Sequence, residues 1–418
     1  MSTHSNNLQF KNLHRNLGWN FSGQFLGKSS LLLFHIILAN HIGAEEYGKF
    51  SFVFVGGLII LQPALDLGFN QIITKWISRG NTEVVKLAFR IKVIISIFLI
   101  PLVFFVGWWF DVNLLLLLTV IGFFFFNTIQ QSLFGILRGI EDLRPESIVS
   151  ALQNILACAA LVIIVFQEYK EPWIGSLILM ISRFLGTIIF SVVLFEKYSQ
   201  KLRDNKNQSL KLKTNELWRE ALTLGMTIFL IQFYFRIDTI MLGLISSETE
   251  VGLYSVAYNI MEGTFFIPTI VMATIFPGLS QTKKFLAYFR KGAILLTITG
   301  LLTGGIVFLL SNLIINWFFS TEFQKSAEIL EILALTIPLV FWGNLMTQSL
   351  VATDHNRVYL VITFFGLILN VLLNLWFIPE YGASGAAVTT VITEAIIPLI
   401  CFIIIKKHNF AKSSLNVS

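Results

Sequence analysis

Asn127-Thr-Ile-Gln-Gln131-Ser132-Leu133 and Asn344-Leu-Met-Thr-Gln348-Ser349-Leu350 share the pattern Asn-x-x-x-Gln-Ser-Leu and lie half a chain apart, each inside a long apolar run. Polar side chains are expensive in a hydrocarbon setting. One polar cassette met twice there implies an internally repeated, multi-span membrane protein built around a polar interior, the organisation of a transporter.

Composition agrees. Of 418 residues, 55% are hydrophobic and 13% charged, whereas a soluble domain carries roughly 25% charged residues. Apolar stretches of about 20 residues, enough to cross ~30 Å of hydrocarbon, recur throughout. They place twelve spans at 16–40, 48–68, 87–109, 113–134, 147–166, 173–195, 218–244, 251–277, 291–315, 328–352, 357–378 and 383–405. The first run is full length and lacks a small-residue cleavage site, so it reads as span one rather than a signal peptide. Of the 30 Lys and Arg residues, 24 fall on the side that holds both termini, Lys92 and Arg138 among them; Lys49, Lys170 and Lys325 fall opposite. The positive-inside rule then puts both termini in the cytoplasm and makes the net charge of +6 a topology signal, with no nucleic-acid partner expected. Cys158 and Cys401 fall inside spans and the six His are scattered. That spacing gives no disulfide framework and no metal site, and no cofactor is expected.

Three further landmarks repeat in the same order. Glu46-x-Gly48-x-aromatic-Ser51 returns as Glu250-x-Gly252-x-aromatic-Ser255, 204 residues on. Glu141-x-x-Arg144 returns as Asp354-x-x-Arg357, and Pro172-x-x-Gly175 as Pro379-x-x-Gly382. Six spans separate the copies, so the repeat is parallel, about a pseudo-two-fold axis along the membrane normal. The expected class is therefore an all-α polytopic membrane protein of two six-helix halves around a central cavity. Residues 1–195 and 218–405 form the halves, 196–217 a flexible cytoplasmic linker, and 406–418 a cytoplasmic tail. Loops on the outer side are short, which leaves no room for the extracytoplasmic domain of a membrane glycan polymerase.

Charged residues in mid-membrane mark function. In span one, Asn20, Gln24, Lys28 and His35 share one helical face; in span seven, Gln232, Arg236, Thr239 and Gly243 do the same. Measured from the shared Glu of the outer loops, Lys28 and Arg236 differ by about one helical turn, so both cations should face the axis. Arg183 in span six and Glu394 in span twelve are likewise near-equivalent, with opposite charge. Lys28, Arg183 and Arg236 would draw an anionic group into the cavity, Arg through a planar fork of donors. Alternatively, these cations pair with Asp238, Glu262 and Glu394 and hold the bundle together, or the acids couple transport to an ion. Asn127, Gln131, Asn344 and Gln348 contact sugars or act as interhelical hydrogen-bond glue. Pro63, Pro101, Pro268, Pro277, Pro338 and Pro398 fall within spans, where proline kinks a helix. Such kinks suit either rocking between two states or static shaping of the bundle.

As an ordered set, several segments resemble the polysaccharide-exporter branch of the multidrug/oligosaccharidyl-lipid/polysaccharide superfamily, most of all the bacterial O-antigen repeat-unit flippases (Wzx type). They are Gly43-Ala-Glu-Glu-Tyr-Gly48, Asp66-Leu-Gly-Phe69, Arg236-Ile-Asp238, Gly252-Leu-Tyr-Ser-Val-Ala257, Phe276-Pro277 and Ile378-Pro-Glu-Tyr-Gly-Ala-Ser-Gly-Ala-Ala387. The resemblance spans nearly the whole chain. It implies a twelve-helix protein of the bacterial inner membrane that makes and breaks no bonds. Such a protein moves undecaprenyl-pyrophosphate-linked oligosaccharide from the cytoplasmic to the periplasmic leaflet by alternating access. Its partners would be that glycan lipid, membrane lipids, and the polymerase and chain-length proteins of the same pathway. An ion-coupled multidrug antiporter, built on Asp238, Glu262 and Glu394, and a lipid II flippase are the rivals within the superfamily.

Overall fold

The computed structural model describes residues 2–167, 169–204, 214–281, 284–353 and 355–407, with the side chains of 2–22, 24, 195, 198–204, 214–216 and 356 left out. The Gln24 side chain, Asp354, linker residues 205–213 and tail residues 408–418 therefore lie outside the described residues. Everything described is helix or short connection, with no strand among these residues. The helices are α1 (Ser2–Asp66), α2 (Phe69–Ser78), α3 (Glu83–Trp109), α4 (Leu114–Gly139), α5 (Arg144–Val165), α6 (Pro172–Asp204) and α7 (Thr214–Ile245). They continue as α8 (Glu248–Gly263), α9 (Phe266–Leu279), α10 (Phe285–Phe318), α11 (Lys325–Ala334), α12 (Thr336–Ala352) and α13 (Asn356–Ile405).

Two helices are far too long for one crossing. The 65 residues of α1 would reach about 100 Å at ~1.5 Å each, three times the hydrocarbon thickness. The break falls at Gly43 (φ 84°), and in α13 at Gly382 (φ 55°), both in the left-handed region that glycine enters without a Cβ clash. Ten apolar helical stretches are long enough to span. Two of them, Phe25–Ser78 and Arg357–Ile405, hold these glycines, which yields the twelve spans expected. Each glycine precedes an alanine whose N–H donates to a distant carboxylate: Ala44 to Glu322 at 2.9 Å and Ala383 to Glu250 at 2.8 Å. A carboxylate at a helix start accepts orphan N–H groups and complements the helix dipole. Glu250 also pairs with Lys325.

Two local expectations need correction. Spans eight and ten are each interrupted, between α8 and α9 and at Leu335. Pro268 and Pro338 therefore sit in the first turn of a new helix, where a missing N–H costs nothing. Span two ends at its expected limit, at a break where Leu67 (φ 44°) and Gly68 (φ 76°) are both left-handed. The linker is helical at both ends, through Asp204 and from Thr214; residues 196–204 contain no Gly or Pro to stop a helix.

The chain divides into two compact units, residues 1–41 with 53–232, and residues 42–52 with 233–418. In the first unit α4 packs against α2, α3 and α6, and α5 lies on α6. In the second, α12 packs against α9, α10 and α13, and α11 against α8. The two cassette-bearing helices, α4 and α12, are thus the central helices of their own units.

Segment 42–52 is built into the second unit. Tyr47 and Phe50 are fully buried, and Asn259 Nδ2 donates to the Tyr47 hydroxyl at 3.0 Å. The glycines of the repeated Glu-x-Gly landmark lie against each other. A Cβ on Gly48 would fall on the carbonyl oxygen of Glu248 and 3.1 Å from Gly252 N. A Cβ on Gly252 would fall on the carbonyl oxygen of Ala44 and 3.2 Å from Gly48 N.

Candidate functional site

In the first unit, Arg183 of α6 lies among amides. Its guanidinium donates to Gln130 Oε1 of α4 at 3.4 Å and to Asn154 Oδ1 of α5 at 3.3 Å, and it stands 5.5 Å from the ring centre of Phe123. Gln130 Nε2 donates to Gln153 Oε1 at 2.9 Å, and Asn154 Nδ2 to the carbonyl of Gly27 in α1 at 2.9 Å. Gly186, one turn beyond Arg183, leaves the space these amides occupy: a Cβ there would fall on Gln153 Oε1 and 2.7 Å from Gln130 Nε2. Among the described residues, no acid is a partner of Arg183. Lys28, next to Gly27, is exposed, and His35 is half-buried.

A second polar network in this unit has no counterpart among the expectations from sequence. Lys92, counted with the cytoplasmic cations, is 3% exposed as a side chain. Its Nζ reaches Asp66 at 2.9 Å, Asn70 Oδ1 at 2.9 Å and Ser132 Oγ at 2.6 Å. Asp66 also accepts from Asn70 N at the start of α2. An isolated buried ammonium is prohibitive, so the face of α3 that carries Lys92 must meet an acid. Ser132 belongs to the first cassette; the Oγ of its counterpart Ser349 is buried and has no hydrogen-bond partner among the described residues.

In the second unit, Arg236 of α7 is ion-paired with Glu262 of α8 and stands 4.7 Å from the ring centre of Tyr258. Its charge is therefore balanced. Asp238, two residues on and 2% exposed, has only neutral donors among the described residues. Asn374 Nδ2 reaches it at 2.6 Å, Thr390 Oγ1 at 2.9 Å and the Tyr254 hydroxyl at 3.1 Å. Asn374 Oδ1 itself has no partner. Glu394 is buried and accepts from the Tyr234 hydroxyl at 2.8 Å. The three-against-three pairing of charges is thus realised at Arg236 and Glu262, while Arg183, Asp238 and Glu394 have no ion-pair partner among the described residues.

The cassette residues divide. Asn127 is buried, while Gln131 accepts from Arg138 at 3.4 Å, beside the Arg138–Glu146 pair, away from the Arg183 group. Asn344 donates to the carbonyl of Val340 on its own helix at 3.3 Å, and Gln348 and Gln232 are half-buried. Gln130, Gln153, Asn154, Asn370 and Asn374 were overlooked. The adjacent amides 153–154 and the i, i+4 pair 370 and 374, each mid-span, were the available signals.

Two helical units, membrane-length apolar helices and ionised groups held inside them define a multi-pass membrane protein of transporter architecture. The family described as Polysaccharide biosynthesis protein matches residues 13–283, and the family described as MatE matches residues 224–376. The chain belongs to the polysaccharide biosynthesis protein family. It is 22% identical to the capsular polysaccharide biosynthesis protein CapF of Staphylococcus aureus, over 91% of this chain and 96% of that one. It is 25% identical to the probable flippase AglR of Haloferax volcanii, over 85% of this chain and 67% of that one. An inward-facing multidrug resistance MATE family transporter of the MOP superfamily superposes with a TM-score of 0.75 at 15% identity, covering 93% of this chain and 96% of its own. The lipid II flippase MurJ, in an inward closed conformation, superposes with a TM-score of 0.72 at 17% identity, covering 95% and 90%. At these identities the structural likeness is one of fold.

Proposed function

We propose that the protein is a flippase for an undecaprenyl-pyrophosphate-linked oligosaccharide, an O-antigen or other polysaccharide repeat unit. It carries this lipid from the cytoplasmic to the periplasmic leaflet of a bacterial inner membrane by alternating access, with both termini cytoplasmic and no bond made or broken. Family membership supports the reading, and so do relatives named for capsular polysaccharide biosynthesis and flippase activity. The observation that carries it is Arg183, a cation in a membrane-spanning helix whose partners are all neutral. A cation at mid-membrane costs about 2.5–3.5 kcal/mol even on insertion scales, and a lipid phosphate would balance it. Lys28 adds a second cation. Arg236, already balanced by Glu262, contributes orientation more than charge.

Cells without the protein are expected to lose surface polysaccharide and to accumulate lipid-linked repeat units confined to the cytoplasmic leaflet. Unchanged surface polysaccharide would overturn the reading. Resistance to cationic dyes on overexpression would favour the multidrug antiporter instead, with Asp238 and Glu394 as its cation-facing acids.

Asp238 is the acid we assign to energy coupling. Among the described residues no cation pairs with it, and its hydrogen-bond partners are neutral. Asp238→Asn keeps the shape of the cage but cannot carry the charge. Ion-gradient-driven export should fall to background at normal protein abundance, measured with proton and sodium gradients imposed separately in vesicles. Undiminished export in both gradients would remove Asp238 from the coupling step.

A further inference from the structure

The Lys92 ammonium stands in a shell made of oxygen. Its Nζ donates to Asp66 Oδ1 and Asn70 Oδ1 at 2.9 Å and to Ser132 Oγ at 2.6 Å, with the Thr128 carbonyl at 3.5 Å. A carboxylate, an amide oxygen, a hydroxyl and a main-chain carbonyl are the ligand types of a hard cation. Ser132 directs its own proton to Asn70 Oδ1 or the Thr128 carbonyl, so its lone pairs face the ammonium. Asp66 carries the one formal negative charge of the shell, which suits an occupant of charge one. The second half lacks this arrangement. Three residues after Pro63 comes Asp66, but three after Pro268 comes Val271. Span nine, the counterpart of span three, has no Lys, Arg, Asp or Glu from Gly292 to Phe318. A charged occupant and its counter-charge are therefore particular to the first unit.

We propose that Asp66, Asn70, Ser132 and Thr128 form a monovalent-cation site whose occupant is tethered, the Lys92 ammonium standing where an ion from solution would otherwise bind. The charge inside this shell then stays constant whatever the ion gradient. Dependence on an ion is left to acids that no cation balances, such as Asp238. The three short spacings are those of N–H···O bonds, so the vacated shell fits potassium or an ammonium ion. Sodium is smaller and would have to draw in oxygens from α1, α2 and α4. A neutral occupant would leave Asp66 unbalanced in a buried setting. None of this depends on what the protein carries across the membrane.

The test is thermal melting of the purified full-length protein in detergent, in choline, sodium, potassium or propylammonium chloride at matched ionic strength. Lys92→Ala removes the tether and leaves the space of a propylammonium ion. This variant should melt well below the wild type in choline and regain several degrees in potassium or propylammonium, with less gain in sodium. The gain is read as the difference from the wild type, which cancels any ion bound elsewhere, Asp238 included. Lys92→Met refills the space without charge and should show no gain, and neither should Lys92→Ala combined with Asp66→Asn. No cation-specific gain for Lys92→Ala overturns the proposal, as does a gain that persists in either control. Where Lys92→Ala is too unstable to melt, the readout is the fraction that remains monodisperse after extraction in potassium against choline. Failure to recover it in potassium or propylammonium, while the double variant is recovered, also overturns the proposal.

Discussion

Gly48→Leu is expected to abolish accumulation of folded protein, and Gly48→Ala to lower the melting temperature sharply. The Cβ of even an alanine would land on a backbone carbonyl of α8, with Gly252 N a little further on. Backbone cannot rotate away as a side-chain tip can. Overpacking a core ordinarily costs about 1–3 kcal/mol, and this site, with main chain on both sides, belongs at the upper end or above. The reciprocal change Gly252→Ala meets the carbonyl of Ala44 and should cost about as much. Gly305 is the control: nothing lies within 4 Å of its Cβ position, in the interior of α10. Gly305→Ala should therefore stabilise slightly, by up to about 1 kcal/mol of helix propensity. Size-exclusion chromatography after a heating series measures all four variants. A Gly48→Ala protein that melts with the wild type would show that the two segments separate at little cost.

The second large effect belongs to Lys92. Removing one partner of a buried ion pair leaves a charge without compensation and costs about 3–5 kcal/mol. Lys92→Met strands Asp66, and Asp66→Asn strands Lys92; each variant should melt well below the wild type. The double variant removes both charges and leaves Ser132 Oγ donating to Asn70 Oδ1 at 2.9 Å. It should therefore be more stable than the sum of the single losses, with a coupling energy of about 2–3 kcal/mol. Strict additivity would mean that the pair is not coupled.

Much of the architecture was legible in the residues. Apolar runs of membrane length located the spans, and the repeated Glu-x-Gly landmark marked two of the turns between them. The left-handed turn of Leu67 at the end of span two was not legible, though the span's limit was: Gly225 of α7 lies directly against the Leu67 backbone. A leucine with positive φ carries no local signature. Charged sites were harder still. Lys92 follows Lys86 and Arg90 in sequence, and linear neighbourhood cannot tell which face of α3 turns inward. Gln131 was chosen over Gln130 because it recurs in both cassettes. One residue is 100° of helical phase, and it is Gln130 that meets Arg183. The cage around Asp238 draws Asn374 and Thr390 from more than 130 residues away, a proximity that only the folded chain reveals.

The glycine crossing has a geometry usually met between separate molecules. Gly48 meets Glu248, and Gly252 meets Ala44; shifted by the landmark offset of 204 residues, each pair becomes the other. Contacts of this reciprocal kind define an isologous interface, in which one patch recognises its own image across a two-fold axis. Two identical proteins meeting about a two-fold axis would make the same contact between such turns. The single chain thus keeps a self-recognition surface internally, and a side chain added at either glycine would strike both halves of it.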